Sequence, residues 1–242
     1  MDAAALLRLQ VEWGADEALD DVPRNRLAPR PSSRIVPPPT PATPAPAPSA
    51  AHAASLDTLR ITLEKFDGCP LKATATHFVF GEGAATAGLA IVGEAPDRDS
   101  DRTGQAFAGP GGAMLDRWLT SIGLDRDAAR LLTLVPWRPP GGRAPTDAEA
   151  AACLPFLRRH LGLVRPRVLL LLGMLPAKTL LGPEAARRRT AWHKLAVEEV
   201  EIQALQIPTP ERALRDPAAR QAAWAQLIRL RRALDQPSLT PP

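Results

Sequence analysis

A loop that follows a short apolar run carries the residues best placed to do chemistry. The run spans residues 89–92, and the chain continues through Gly93, Glu94, Ala95 and Pro96 into a charged stretch. A buried strand that stops at glycine and proline and opens into a polar loop places that loop at its C-terminal end, where ligands bind in open α/β sheets. The pattern therefore predicts a ligand site at this loop, which closes with Phe107.

Two further segments follow predicted strands in the same way. The first, WRPPGGR at 137–143, comes after an apolar run at 131–135, and the second, TPERALR at 209–215, comes after a weaker strand at 200–207. Between them, Thr146 with Glu149 three residues later has the pattern of a capping box. A helix is therefore predicted to begin at Thr146 and to run through residue 160.

In this order the motifs resemble those of the family-4 uracil-DNA glycosylases, over residues 66 to 234. The shared letters are GEAP at 93–96 with Gly104, Phe107 and Gly109; RPPGGR with Pro145, Thr146 and Glu149; CLPFL at 153–157; LLG at 171–173; and LRDP at 214–217 with Trp224. The resemblance implies a three-layer α/β/α fold with a central, mainly parallel sheet of four strands. Strands are predicted at 78–80, 89–92, 131–135 and 167–172, with a weaker one at 200–207. Their alternation with helices along the chain predicts the same fold class.

Enzymes of this kind take a uracil base out of the DNA stack and hold it in a tight pocket, stacked on an aromatic ring. The resemblance makes Phe107 the stacking ring and Glu94 the remaining carboxylate of the catalytic machinery. It also predicts the other residues of the base pocket, Gly93, Ala95, Pro96 and Asp97, and four arginines that contact DNA, Arg138, Arg143, Arg212 and Arg215.

Several family letters are missing at positions that matter for the chemistry. The asparagine that reads the base falls on Thr133, and the histidine that stabilises the leaving uracil anion falls on Thr209. A threonine hydroxyl replaces neither a two-ended amide nor a cationic donor. The last glycine of the first motif is Asp97, whose carboxylate is expected to repel phosphate, and a second loop carboxylate falls on Ser100.

The iron–sulfur cluster that the resemblance implies also lacks half of its ligands. Cys69 and Cys153 match two of the four cysteines, while Phe66 and Trp137 occupy the other two positions. A cluster of this type is held by four protein ligands. We therefore predict no metal and no cofactor, with two aromatic rings that fill the space of the lost cluster and two thiols that pack as small apolar residues.

The rest of the chain predicts four regions. Residues 1–27 contain an amphipathic helix at 3–19, residues 28–54 form a Pro/Ala-rich linker, residues 55–236 form the glycosylase-like domain, and 237–242 are a tail. The helix at 3–19 is either an inert appendage or a docking segment for a protein partner.

Composition sets only broad limits on the function. The chain has 242 residues with a net charge of +4 and two cysteines, and its pI is about 9.7. A modest basic excess suits a DNA surface without requiring one. The sequence has no leader or apolar run near membrane-spanning length, which predicts a soluble, cytoplasmic protein without a membrane partner, in which a structural disulfide is not expected.

Three functions remain open from the sequence. The first is a DNA-binding glycosylase homologue, related to repair, whose uracil excision is weak or lost. The second is a working uracil-DNA glycosylase of base-excision repair with displaced catalytic groups. The third is a protein-interaction module that acts through the N-terminal helix.

Overall fold

The computed structural model describes residues 50–236. The predicted helix at 3–19, the tail and most of the predicted linker at 28–54 lie outside these residues. The last part of that linker range is described: 50–52 form one turn of 3-10 helix, and Ala50 and Ala53 are buried. The packed part of the chain therefore begins upstream of residue 55.

The described residues form a six-stranded sheet. Its strands are β1 (Glu82–Gly83), β2 (Leu89–Gly93), β3 (Ala129–Thr133), β4 (Val168–Leu172), β5 (His193–Val197) and β6 (Val200–Ile207). They lie in the order β1-β3-β2-β4-β6-β5, and the four strands in the middle are parallel. The two edge strands run antiparallel to their neighbours, β1 to β3 and β5 to β6.

Helices cover both faces of this sheet. The residues 50–236 contain α1 (Leu56–Glu64), α2 (Arg98–Thr103), α3 (Pro110–Ser121), α4 (Asp147–Val164), α5 (Met174–Leu181), α6 (Pro183–Arg187), α7 (Pro210–Arg215) and α8 (Pro217–Asp235). Among them, no helix combines the length and apolar character needed to cross a membrane.

The parallel strands are buried on both sides, which explains their continuous apolar sequences. Alternate residues of β2 and β4, such as Ile91 and Leu170, pack with α3 and α8 on one face. Their neighbours, such as Val92 and Leu171, pack with α4 and α5 on the other face. The sheet is thus the middle layer of three, and the fold class predicted from the sequence is confirmed.

A third cluster lies beyond the layers and joins the start of the described chain to α4. It contains Leu59 and Leu63 of α1, Phe156 of α4, and the four residues at the predicted cluster positions. This cluster packs α1 and the following turn against α4.

The strand count and one strand position differ from the prediction. Residues 78–80 form no strand; instead the Val79 N–H donates to Pro136 O (2.9 Å), and β1 begins at Glu82. The additional strands are the two antiparallel edges. β5 alternates between buried and exposed residues, so it lacks the apolar run that marks the central strands.

The helix that follows the capping box forms as predicted. Thr146 Oγ1 accepts from the Glu149 N–H (3.2 Å), and Glu149 Oε2 accepts from the Thr146 N–H (2.8 Å). The helix continues to Val164, where Arg165 takes a left-handed conformation with φ of +50°.

Candidate functional site

The C-terminal ends of the parallel strands meet at one cavity of about 350 Å³. Gly93 and Thr133 are paired at the ends of β2 and β3, and Leu172 and Ile207 are paired at the ends of β4 and β6. We refer to this space as the first cavity. Its lining includes most of the residues predicted from the sequence: Gly93, Glu94, Ala95, Pro96, Asp97, Phe107, Arg138, Arg143 and Thr209.

Three predicted residues are not part of the first cavity. Thr133 lines a smaller enclosed space beside Cys153 and His160. Arg212 lines a separate cavity, described below, and Arg215 is exposed at the end of α7.

The Phe107 ring lies directly against the end of β2. A Cβ atom placed on Gly93 would come within 2.8 Å of this ring, so only glycine fits beneath it. Phe107 also has a φ of +54°, a region that residues other than glycine rarely adopt. The ring position therefore depends on a strained backbone that the surrounding structure must hold.

Arg126 holds that backbone. Its guanidinium donates to Phe107 O (3.3 Å) and to Ala106 O, and it forms ion pairs with Asp116 (3.0 Å) and Glu82 (3.1 Å). Contacts from one planar group to these four partners fix the loop against α3 and β1. This role was not predicted from the sequence, because Arg126 belongs to none of the motifs.

The loop between Glu94 and Phe107 is closed by its own polar residues. Asp97 Oδ1 accepts from the Ser100 N–H (2.7 Å) and caps α2, while its other carboxylate oxygen lies against Gly109. Ser100 is fully buried, and its hydroxyl accepts from the Ala108 N–H (3.0 Å). Asp97 and Ser100, which the sequence singled out as losses, thus stabilise the loop conformation.

Glu94 is the carboxylate at the centre of the site. Burial raises its pKa above the usual value; a hydrogen bond from the Leu175 backbone opposes this shift, and the nearby charge of Glu211 adds to it. Glu211 follows Thr209 and Pro210, lines the same cavity and lies against Gly111 at the start of α3. An acidic residue in the first turn of a helix is so common that Glu211 did not stand out in the sequence.

The two threonines at the substituted catalytic positions have different surroundings. Thr209 lines the first cavity and caps α7, accepting from the Arg212 N–H (3.3 Å). The Thr133 hydroxyl is buried and has no hydrogen-bond partner among residues 50–236. It ends one bond nearer the backbone than an asparagine amide would, and it does not reach the cavity lining.

The predicted DNA-contacting arginines differ in whether an acidic side chain already forms an ion pair with them. Arg143 forms a two-bond ion pair with Glu149 (2.6 and 2.8 Å), and Arg212 contacts Asp216 (3.4 Å). Arg138 lines the first cavity, and its Nε is buried without a hydrogen-bond partner in the described part of the chain. Arg138 is therefore the guanidinium best able to accept an anionic ligand.

The four residues at the ligand positions of the implied iron–sulfur cluster lie together in the third group of buried side chains. Phe66, Cys69, Trp137 and Cys153 are each at most 5% exposed, and the Phe66 ring packs on Phe156 with centroids 4.9 Å apart. The hydrogen bond that the Cys153 thiol donates to Cys69, together with burial, raises the pKa of Cys153 above its usual value, so this thiol stays protonated.

These residues do not fit an iron–sulfur cluster. Two thiols supply half of the ligands that such a cluster needs, and two rings occupy the remaining positions. Within residues 50–236, no group of three or more histidine, cysteine, aspartate or glutamate side chains is arranged to hold a metal ion.

We predict that the purified protein is colourless and contains no stoichiometric iron. Protein prepared without oxygen should show neither iron by elemental analysis nor visible absorbance, because only two thiolates can be supplied at this site. A type-4 relative prepared in parallel is the control. One cluster per chain in this protein would contradict the prediction.

A second prediction concerns the Glu149–Arg143 pair. The hydrogen bond from Arg143 lowers the pKa of Glu149 from 4.5 to about 2. A folded-state pKa below the unfolded value stabilises the fold above pH 4.5, and this stabilisation is lost as the pH falls toward 2. The free energy of unfolding of Glu149→Gln should therefore be well below wild type at pH 7 and approach it at pH 3.

Urea denaturation at the two pH values measures this difference. Glu184→Gln, which removes a carboxylate from an exposed ion pair with Arg187, is the matched control and should change stability little at either pH. A deficit of Glu149→Gln that is the same at pH 7 and pH 3 would show that the ion pair is not its cause.

Comparison with known proteins agrees with the geometry of the site. Type-4 uracil-DNA glycosylases from Pyrobaculum aerophilum and Archaeoglobus fulgidus are 36% and 38% identical to this chain over 126 and 124 residues. These regions cover 52% and 51% of this chain, and 64% and 62% of the relatives. A third, from Thermotoga maritima, is 36% identical over 111 residues, which cover 46% of this chain and 58% of that protein.

The chain thus spans about three fifths of the length of the curated relatives it matches. The family model described as the uracil DNA glycosylase superfamily matches residues 80–228, which is more than half of the chain. This range contains the whole parallel sheet and every residue of the first cavity. The chain therefore belongs to the uracil DNA glycosylase superfamily.

Proposed function

We propose that this protein binds DNA at the first cavity, in the context of DNA repair, and that its uracil excision is weak or absent. The observation that carries the proposal is the lining of that cavity. Among the described residues 50–236, those that line the cavity include Glu94, Phe107 and Thr209, and none of them is a histidine or an asparagine. An aromatic ring beside a concave polar space suits a flipped base.

The reaction needs more than a space for the base. Uracil leaves as an anion, and a positioned donor that stabilises developing charge contributes about a hundred- to a thousandfold in rate. The Thr209 hydroxyl stands where the family has an imidazole, and it already accepts a hydrogen bond from the backbone of α7. A neutral hydroxyl at this position stabilises the anion much less than a histidine.

A working glycosylase is the second candidate, and Glu94 favours it. This carboxylate lies in the cavity with a raised pKa beside Glu211, and a pair of carboxylates in one cleft is an arrangement that positions water for attack on a sugar carbon. The protein-interaction function predicted for residues 3–19, and the predicted cytoplasmic location, stay predictions.

The catalytic prediction is tested with a uracil-containing single-stranded oligonucleotide. We expect cleavage at least about a hundredfold slower than that of a type-4 relative under the same conditions. Thr209→His and the double variant Thr133→Asn with Thr209→His should each raise the rate, because they return an imidazole and an amide to the site.

Thr120→His, on the exposed face of α3, is the matched control and should leave the rate unchanged. Excision by the unmodified protein at the rate of its relatives would contradict the proposal of weak catalysis and favour the second candidate.

DNA binding is tested separately, with a single-stranded oligonucleotide that lacks uracil. Removal of one phosphate-contacting guanidinium should weaken binding across sequences and lower the slope of log K against log salt by about 1. We expect this for Arg138→Ala, whose guanidinium faces the cavity. Arg60→Ala on α1, which lies outside the cavity lining, is the control. Equal effects of both changes would show that the cavity does not contact DNA.

A further inference from the structure

A second cavity of about 470 Å³ adjoins the first. Glu94 and Thr209 line both cavities. Gly173 lies between these two side chains with a φ of +95°, and a Cβ atom on it would come within 2.7 Å of Thr209 Cγ2 and 2.8 Å of Glu94 Oε1. The wall between the cavities is therefore one layer of side chains thick. Apart from Glu94, Thr209 and Arg212, the residues that line this second cavity have no part in the proposed function.

One side of the second cavity is apolar and free of long side chains. Three alanines of α8, Ala218, Ala219 and Ala222, line it together with Ile207 and Pro208 at the end of β6. Side chains that end at Cβ leave a broad apolar surface open, against which a flat ring can lie. The volume is in the range of small-molecule sites, which combine such apolar walls with a few polar groups.

Two glutamines are among the polar residues that line this cavity, which also include Glu94, Thr209, Arg212 and Asp216. Gln206 is 6% exposed, and its side chain makes no hydrogen bond to another residue among 50–236. Gln226 is 7% exposed; its carbonyl accepts from Arg229 (2.7 Å), which leaves its NH₂ group available. A side-chain amide carries a donor beside an acceptor, and this pair matches the edge of a nucleobase, as glutamine amides do when they bind adenine.

One guanidinium at this cavity has no ion-pair partner in the described residues. Arg212 is paired with Asp216, and Arg187, just before the cavity, is paired with Glu184. Arg189 lines the cavity, is exposed, and forms no ion pair within residues 50–236. An arginine at the edge of an apolar pocket is suited to bind a phosphate group.

We propose that the second cavity binds a nucleotide, with its base between the alanine surface and the amides of Gln206 and Gln226, and its phosphate at Arg189. Two sources share this chemistry. One is a free nucleotide; the other is a nucleotide of a DNA strand whose neighbour occupies the first cavity, since Glu94 and Thr209 belong to both.

The test uses isothermal titration calorimetry of the full chain with the four deoxynucleoside 5′-monophosphates. We expect saturable binding of at least one of them. Gln206→Leu should weaken it about tenfold, the loss expected for one or two hydrogen bonds to a buried amide. Ala222→Phe, which fills the cavity without changing charge, should abolish it. Arg189→Ala should weaken it at low salt more than at high salt.

Matched controls lie close by in the sequence. Gln203 is also a buried glutamine of β6 but does not line this cavity, so Gln203→Leu should keep wild-type affinity. Arg187→Ala removes an arginine already paired with Glu184 and should likewise bind normally. Gln206→Leu and Ala222→Phe are independent changes, and either of them, once its fold is verified by circular dichroism, suffices to test the site.

The results distinguish binding at the second cavity from binding at the first. They also distinguish a free nucleotide from a nucleotide of a DNA strand. Binding that survives Gln206→Leu and Ala222→Phe but is lost in Phe107→Ala would overturn the proposal, and so would a failure of all four monophosphates and of the dinucleotide pTpT to bind. Tighter binding of pTpT than of the thymidine monophosphate, weakened by both Phe107→Ala and Gln206→Leu, would support the strand as the source; equal binding would support the free nucleotide. The strand source rests on the proposed DNA binding at the first cavity, whereas monophosphate binding that depends on Gln206 and Ala222 does not, so the two proposals can fail separately.

Discussion

The parallel pairing of β2 with β3 and β4 is the constraint on which the rest of this structure depends. It brings Gly93 and Thr133 to one edge of the sheet, close to the end of β4. Because these strands are buried on both faces, their side chains are apolar. The polar groups therefore lie in the loops that follow the strands. The first cavity is lined by the segments that follow β2, β3 and β6, together with Leu172 at the end of β4.

The site also contains a strained backbone, which contacts from other residues must stabilise. Phe107 adopts a conformation that costs free energy for a residue with a side chain, and its ring occupies space that only Gly93 leaves open. Arg126 offsets this cost through the two carbonyl oxygens and two carboxylates it contacts. Asp97 and Ser100 close the other end of the loop. The side chains of Asp97 and Ser100 thus have a structural role in this loop.

Phe66 and Trp137 stabilise their part of the structure by burial of apolar surface. Apolar burial stabilises at roughly 25 cal/mol for each Å² removed from water, and two large rings bury far more apolar surface than two thiolates. Packed against Phe156 and Phe78, they join α1, the 137–143 segment and α4. Apolar contact of this kind needs no bound metal.

The sequence by itself determined the fold class and the central strands, because continuous apolar runs that end in glycine or proline are local signals. Most residues of the first cavity were predicted only through the resemblance to the family-4 uracil-DNA glycosylases, and Glu211 was not predicted at all. It also predicted the capping box, whose bonds span only three residues. The edge strands escaped prediction because β1 has only two residues and β5 alternates between buried and exposed residues.

Only the tertiary structure decided which side chains share a space. It placed Thr133 outside the first cavity, and it placed Arg126 and Glu211 in contact with the loop and the cavity, because these contacts join residues far apart in the chain. The second cavity likewise depends on how α8 packs beside β6, and no local pattern in the sequence specifies that packing.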